Sequence, residues 1–192
     1  MAYTPRLTSA GIAGSRWYET QNPFYLAGYG MPNCTAYAFG RAWEIGDPNN
    51  QGINYPPLST GNAEDWYNHA DNWARGSTPK LGAIACYADG DFSGDGHVCV
   101  VEVIDTANNR CLVSESAYNG YYFRATHYIS MSGDYGYGNY RFQGFIYNPY
   151  ASDDPGPDPP PGPDPPPGPG EGFDIWKFKR LIDKRKDRIN TW

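Results

Sequence analysis

Within the first 150 residues, the rhythm of apolar positions changes near Pro79. Before it, two segments repeat their apolar residues at helical spacing. The first follows Asn33, a good N-cap, and runs CTAYAFGRAWEI to a plausible stop at Gly46. The second is NAEDWYNHADNWAR, with Asn62 as cap, Glu64 and Asp65 in the first turn and Gly76 as terminator. Its Ala63, Trp66, Tyr67, Ala70, Trp73 and Ala74 fit the i, i+3, i+4, i+7 pattern of one buried face. After Pro79 the pattern becomes that of strands: IACYA, HVCVVEVI, RCLVSES, YYFRATHYI and FQGFIY. Helices followed by an antiparallel sheet predict an α+β fold. The turn DTANNR makes a hairpin of the second and third strands. If Cys99 pairs with Glu115, then His97 and Glu115 project from the same face, and a one-residue slip would separate them.

The pattern breaks near residue 151, which predicts a globular domain over residues 1–150. Residues 151–171 are rich in Pro, Gly and Asp, and their composition predicts an extended, semi-stiff tether. Residues 172–192 read as a short basic amphipathic helix with Ile175, Phe178, Leu181, Ile182 and Ile189 near one face. Three uses fit this tail: binding anionic polymers through its Lys and Arg residues, docking on another protein, or folding only on contact with a partner. Docking is the preferred one, because a stiff spacer then makes mechanical sense.

Composition narrows the classes. Aromatic residues make up 16% of the chain, with 17 tyrosines, while charged residues reach only 19%. Such a balance argues against disorder for most of the chain and for a Tyr- and Trp-lined groove. A net charge of −6 speaks against nucleic acid as a partner. No stretch approaches 18 apolar residues, and MAYTPRLTSA lacks a basic start followed by an apolar run. Neither a transmembrane segment nor a signal peptide is expected.

The candidate chemistry begins at Cys34, in the first turn of the predicted helix. Unpaired N–H groups and the positive dipole end there favour a thiolate. His97, at the head of a strand, supplies a base, and the Glu115 carboxylate can orient its imidazole. Cys86, Cys99 and Cys111 sit in apolar runs and read as buried free thiols. His69 reads as solvated, and His127, with no companion ligand pattern, as structural. The run Asp89–Asp95 imitates half of a calcium loop but has Val100 where the glutamate ligand belongs, so an acidic solvated turn is the better reading. No metal or cofactor is called for.

The stretches GYGMPNCTAYAFGRAWEI, PKLGAIACY, GHVCVVEVI, VSESAY and FQGFIYNP together resemble the CHAP domain, the cysteine, histidine-dependent amidohydrolase/peptidase module of phage and bacterial peptidoglycan hydrolases. The resemblance covers roughly residues 20–150. It implies a papain-like α+β fold, Cys34 as nucleophile, His97 as general base, and cleavage of amide bonds in the peptide part of peptidoglycan. Many members carry Glu-x-Asn at the third position. Here the Asn position is Ala117, which leaves Glu115 as orienter, ahead of Asn119 in the next turn. The N–H groups of Cys34 and Thr35 are the expected oxyanion donors, and Tyr37, Tyr118, Tyr121 and Tyr122 the expected groove walls. The expected setting is a phage endolysin or virion-associated lysin, held in the host cytoplasm before release or carried on the virion, and acting on the bacterial cell wall. The alternative is a non-catalytic wall-binding or virion module with a vestigial site.

Overall fold

A computed structural model describes residues 3–90, 95–131 and 135–151. They belong to the first of two units into which the chain divides, Met1–Asp158. The expected tether, the tail helix and the middle of the Asp89–Asp95 loop lie outside the described residues.

The N-terminal part opens with a π-helical turn at Arg16–Thr20, followed by helix α1, Pro23–Leu26, and helix α2, Cys34–Gly46. The sequence reading assigned nothing before residue 33, although Asn22 caps α1 through Phe24 N–H and Pro23 sits where a missing N–H costs nothing. Helix α2 forms as expected. The Asn33 side chain accepts from the Thr35 N–H at 2.9 Å, satisfying one of the orphan donors of the first turn. The helix is not amphipathic in the ordinary sense, because Thr35 through Trp43 are all buried. It is a central helix, covered by sheet on one side and by the N-terminal segment on the other. The π-helical turn fits so closely at Gly40 that a Cβ there would lie 2.8 Å from the Trp17 carbonyl oxygen and run into the Tyr18 ring.

The second predicted helix is a correction. Only Ala63–Asn68 is helical, as a 3₁₀ turn, and Asn62 makes no side-chain cap bond. The chain then leaves the helix because other groups take its carbonyls: Arg75 Nε donates to Tyr67 O at 2.6 Å and Nη2 to His69 O at 2.5 Å. Asp71 turns the backbone by accepting from Trp73 N–H, and Asn72 takes a positive φ. Arg75 and Gly76, read as helix end and terminator, are instead a short edge strand, β1.

The remaining strands are β2 (Ile84–Ala88), β3 (His97–Asp105), β4 (Arg110–Glu115), β5 (Arg124–Ser130) and β6 (Arg141–Ile146). They make one antiparallel sheet in the order β1-β6-β2-β3-β4-β5. Period-2 alternation divides its side chains. Ile84, Cys86, Val98, Val100 and Ile146 join Phe39, Trp43 and Trp66 in the core under α2. Ala85, Tyr87, Cys99, Val101, Val113 and Phe145 form a second core on the other face. Each large side chain buried in this way contributes about 1.5–3 kcal/mol. A helix carrying Cys34, packed on an antiparallel sheet, is the α+β arrangement that was expected. No helix among the described residues is long and apolar enough to cross a membrane.

A bulge in β3 at Glu102 ties the layers together. Glu102 is fully buried, and its carboxylate accepts from Arg41 of α2 at 3.0 Å, Tyr3 Oη at 2.6 Å, Arg6 N–H at 2.8 Å and Ser114 Oγ at 2.6 Å. Arg41 also pairs with Glu44, which bonds Arg6 and Tyr18. Burial pushes the Tyr3 and Tyr18 phenols up, so they remain donors in this network.

Candidate active site

Three elements bring the candidate residues together. Cys34 stands at the first position of α2, His97 opens β3 and Glu115 ends β4. The strand register places Val100 opposite Ser114, one step short of the expected Cys99–Glu115 pair, and the ligand atoms of His97, Cys99 and Glu115 lie within 4.8 Å of one another. His97 and Glu115 therefore share a face, and His97 Nε2 meets Glu115 Oε2 at 2.7 Å. The residue before His97 has to be glycine. Gly96 takes φ +66°, and a Cβ there would lie 2.7 Å from Glu64 N and collide with the Tyr87 carbonyl oxygen.

A carboxylate only accepts, so His97 donates to it from Nε2, and Nδ1 is the nitrogen left for Cys34. Burial disfavours the charged imidazole, but hydrogen bonds with the Cys34 thiol and Glu115, and their charges, outweigh it and raise the His97 pKa from 6.5 to about 9. Burial would likewise push the Glu115 carboxyl up. Hydrogen bonds from His127, His97 and Tyr137, with the charge of His97, instead hold it well below the usual carboxylate range.

Glu115 is fully buried and its two oxygens are crowded with donors. Oε1 accepts from Arg124 Nε at 2.9 Å and Nη2 at 2.6 Å, with His127 Nδ1 at 3.2 Å. Oε2 takes Tyr137 Oη at 2.6 Å beside His97. His127, read from the sequence as structural, shares the site carboxylate. Sequence reasoning missed Arg124 and Tyr137. The alternation of β5 places Arg124 near Glu115, but Tyr137 lies in the loop YGYGNY, which has no periodicity to read. Asn119 is exposed in a turn at positive φ, and among the described residues it makes no bond to His97.

Two further expectations change. The Thr35 N–H is taken by Asn33 Oδ1, so of the two expected oxyanion donors only the Cys34 N–H has no acceptor among the described residues. Tyr37 is not a groove wall: it is fully buried, and its hydroxyl donates to Ser114 Oγ at 2.8 Å. Tyr118 and Tyr122 are exposed on the turn after Glu115, and Tyr121 Oη lies 3.3 Å from Tyr137 Oη.

All four thiols are free, and Cys34 is the half-buried one. Burial, then the Glu115 charge, raises Cys99 well above its ordinary value, and burial alone does most of the same for Cys86. His97, Cys99 and Glu115 have ligand atoms within 4.8 Å of one another. They do not fit a metal ion, because Arg124, Tyr137 and His127 already fill the Glu115 oxygens and Cys99 is held as a thiol.

Residues 24–117 match the model of the CHAP domain, a narrower span than the 20–150 of the sequence resemblance. The probable autolysin LDP of Staphylococcus aureus (strain NCTC 8325 / PS 47) is 36% identical over 112 residues. That alignment covers 57% of this chain and 36% of the autolysin, so the chain spans little more than a third of that relative's length. The crystal structure of Ly7917 aligns with a TM-score of 0.45 and 19% identity, over 62% of this chain and 54% of that one. The crystal structure of Ly7917 with the hydrolyzing product of MDP aligns over the same shares at 0.41. The helix that opens on Cys34, the strand that opens on His97 and the strand that ends on Glu115 all fall inside the matched span, and this chain carries a CHAP domain.

Proposed function

We infer that the domain formed by residues 1–150 is a peptidoglycan hydrolase that cleaves amide bonds in the peptide part of its substrate, by a Cys34 nucleophile with His97 as its acid and base. The observation that carries this reading is the 2.7 Å bond from His97 Nε2 to the fully buried Glu115 carboxylate, and the Cys34 thiol is among the groups that raise the His97 pKa. Family membership and the likeness to an autolysin support the substrate class. Cys99 also lies near His97, but its complete burial argues against attack on a polymer.

In this mechanism the Cys34 sulfur attacks the amide carbonyl carbon, and the Cys34 N–H faces the oxyanion that develops. Imidazolium at His97 gives its proton to the departing nitrogen as the C–N bond breaks, leaving a thioester. Water, deprotonated by His97, then releases the acid and restores the thiol. Glu115 keeps the imidazole in the tautomer that presents Nδ1 to sulfur.

Digestion of purified walls should release new free amines and no new reducing sugar ends, and mass spectrometry of the fragments identifies the bond. New reducing ends in place of amines would refute the reading. The pH profile follows from His97. The imidazolium persists through neutral pH and is lost as pH rises through about 9, so kcat/KM should decline above that value. An alkaline limb near the ordinary histidine value would contradict the coupling to Cys34 and Glu115.

A further inference from the structure

We propose that Tyr137 is the positioning residue of this centre: its hydroxyl fixes the Glu115 oxygen on which His97 leans, while its ring backs the His97 imidazole. The proposal rests on the reading of Cys34, His97 and Glu115 as a hydrolytic centre and adds a residue to it.

The geometry singles Tyr137 out. It is 2.6 Å from Glu115 Oε2, the same oxygen that accepts from His97 Nε2. Its ring centroid lies 4.6 Å from that of His97 with 32° between the planes. One side chain therefore touches both ends of the His97–Glu115 bond. Its loop is pinned rather than loose: Tyr137 pairs with Tyr140 in an isolated β-bridge, and the Tyr140 N–H donates to the Tyr137 carbonyl at 3.1 Å. The Tyr140 ring stacks behind His97 at 6.0 Å. Ala117 leaves the Asn position of the family pattern without an amide, and the phenol of Tyr137 supplies a neutral donor at the carboxylate.

The groups that set the charge around His97 come from several elements. Cys34 faces it from α2 and Glu115 from β4, with the Tyr137 and Tyr140 rings alongside. Glu115 itself is faced by Arg124 and His127 from β5 and by Cys99 from β3. Arg124 Nη2 and the Tyr121 hydroxyl also reach the Tyr137 oxygen, at 3.2 and 3.3 Å. Burial, then Glu115, keeps the Tyr137 phenol protonated far above its ordinary value, so it donates at every pH the enzyme would meet.

A donor on Oε2 draws charge from the oxygen that His97 uses. Removing it leaves Glu115 a stronger acceptor for the imidazolium and leaves the imidazole less well aimed. The test is Tyr137→Phe in the full chain, which keeps the ring and deletes only the hydroxyl. Four donors remain on Glu115, so the fold should be retained, and a thermal melt checks this. NMR titration of the His97 ring should show its pKa moved upward, and the alkaline limb of kcat/KM should move with it. The kcat should fall about tenfold at unchanged KM. An unmoved His97 titration, or kcat within twofold of wild type, overturns the proposal. So does a raised KM at unchanged kcat, which would make Tyr137 a substrate contact. If wild-type protein hydrolyses no wall material, the hydrolase reading fails, while the NMR titration still decides whether Tyr137 governs His97.

Discussion

Cys34→Ala should lower the rate of wall hydrolysis by at least about 10⁴-fold, because loss of the nucleophile in hydrolases of this kind leaves only binding and oxyanion stabilisation. The fold should not change with it. Cys34 is half-buried at the first position of α2, alanine is the best helix former, and the cap bond from Asn33 to the Thr35 N–H does not involve the sulfur. The same change removes one of the partners that hold a proton on His97, so the His97 titration should drop from about 9 toward its ordinary value. Turbidity loss of purified walls, read beside a thermal melt, separates chemistry from stability. More than a few per cent residual hydrolysis in a folded variant would reject the thiol mechanism and point to a nucleophile other than Cys34.

Arg41→Met should have the largest effect on stability, about 3–5 kcal/mol. Arg41 and Glu102 are both buried, and Arg41 gives Glu102 two hydrogen bonds at 3.0 Å while also holding Glu44. Methionine keeps much of the volume but strands the Glu102 charge inside the protein with only Tyr3, Ser114 and the Arg6 N–H as partners. The double variant Arg41→Met, Glu102→Leu should recover much of the loss, because a buried pair replaced as a whole by apolar groups is often tolerated. Urea unfolding followed by tryptophan fluorescence measures both. A single variant within 1 kcal/mol of wild type would mean that water reaches this pair and that burial does not govern it.

Sequence patterns made some parts of the molecule legible for local reasons. Helix α2 could be read because its cap, Asn33, and its stop are adjacent residues that act on their own backbone. The His97–Glu115 pairing could be read because the DTANNR turn fixes the hairpin register within a few residues. What failed to show depends on distance along the chain. The 62–76 segment has a helical apolar pattern, yet Arg75 spends its guanidinium on the carbonyls that a helix would use and places its backbone on β6. Tyr37 looked available for a groove because an amphipathic helix has an open face, whereas α2 has none. Tyr137 reaches Glu115 across 22 residues from a glycine-rich loop, a contact that no periodicity announces.

The unequal burial of the four thiols makes the protein report on its own integrity. A small alkylating reagent meets one reachable sulfur in the native state, and Cys86, Cys99 and Cys111 come into reach only when the sheet opens. Labelling stoichiometry therefore counts intact molecules and occupied nucleophiles in one measurement, with no probe engineered into the chain.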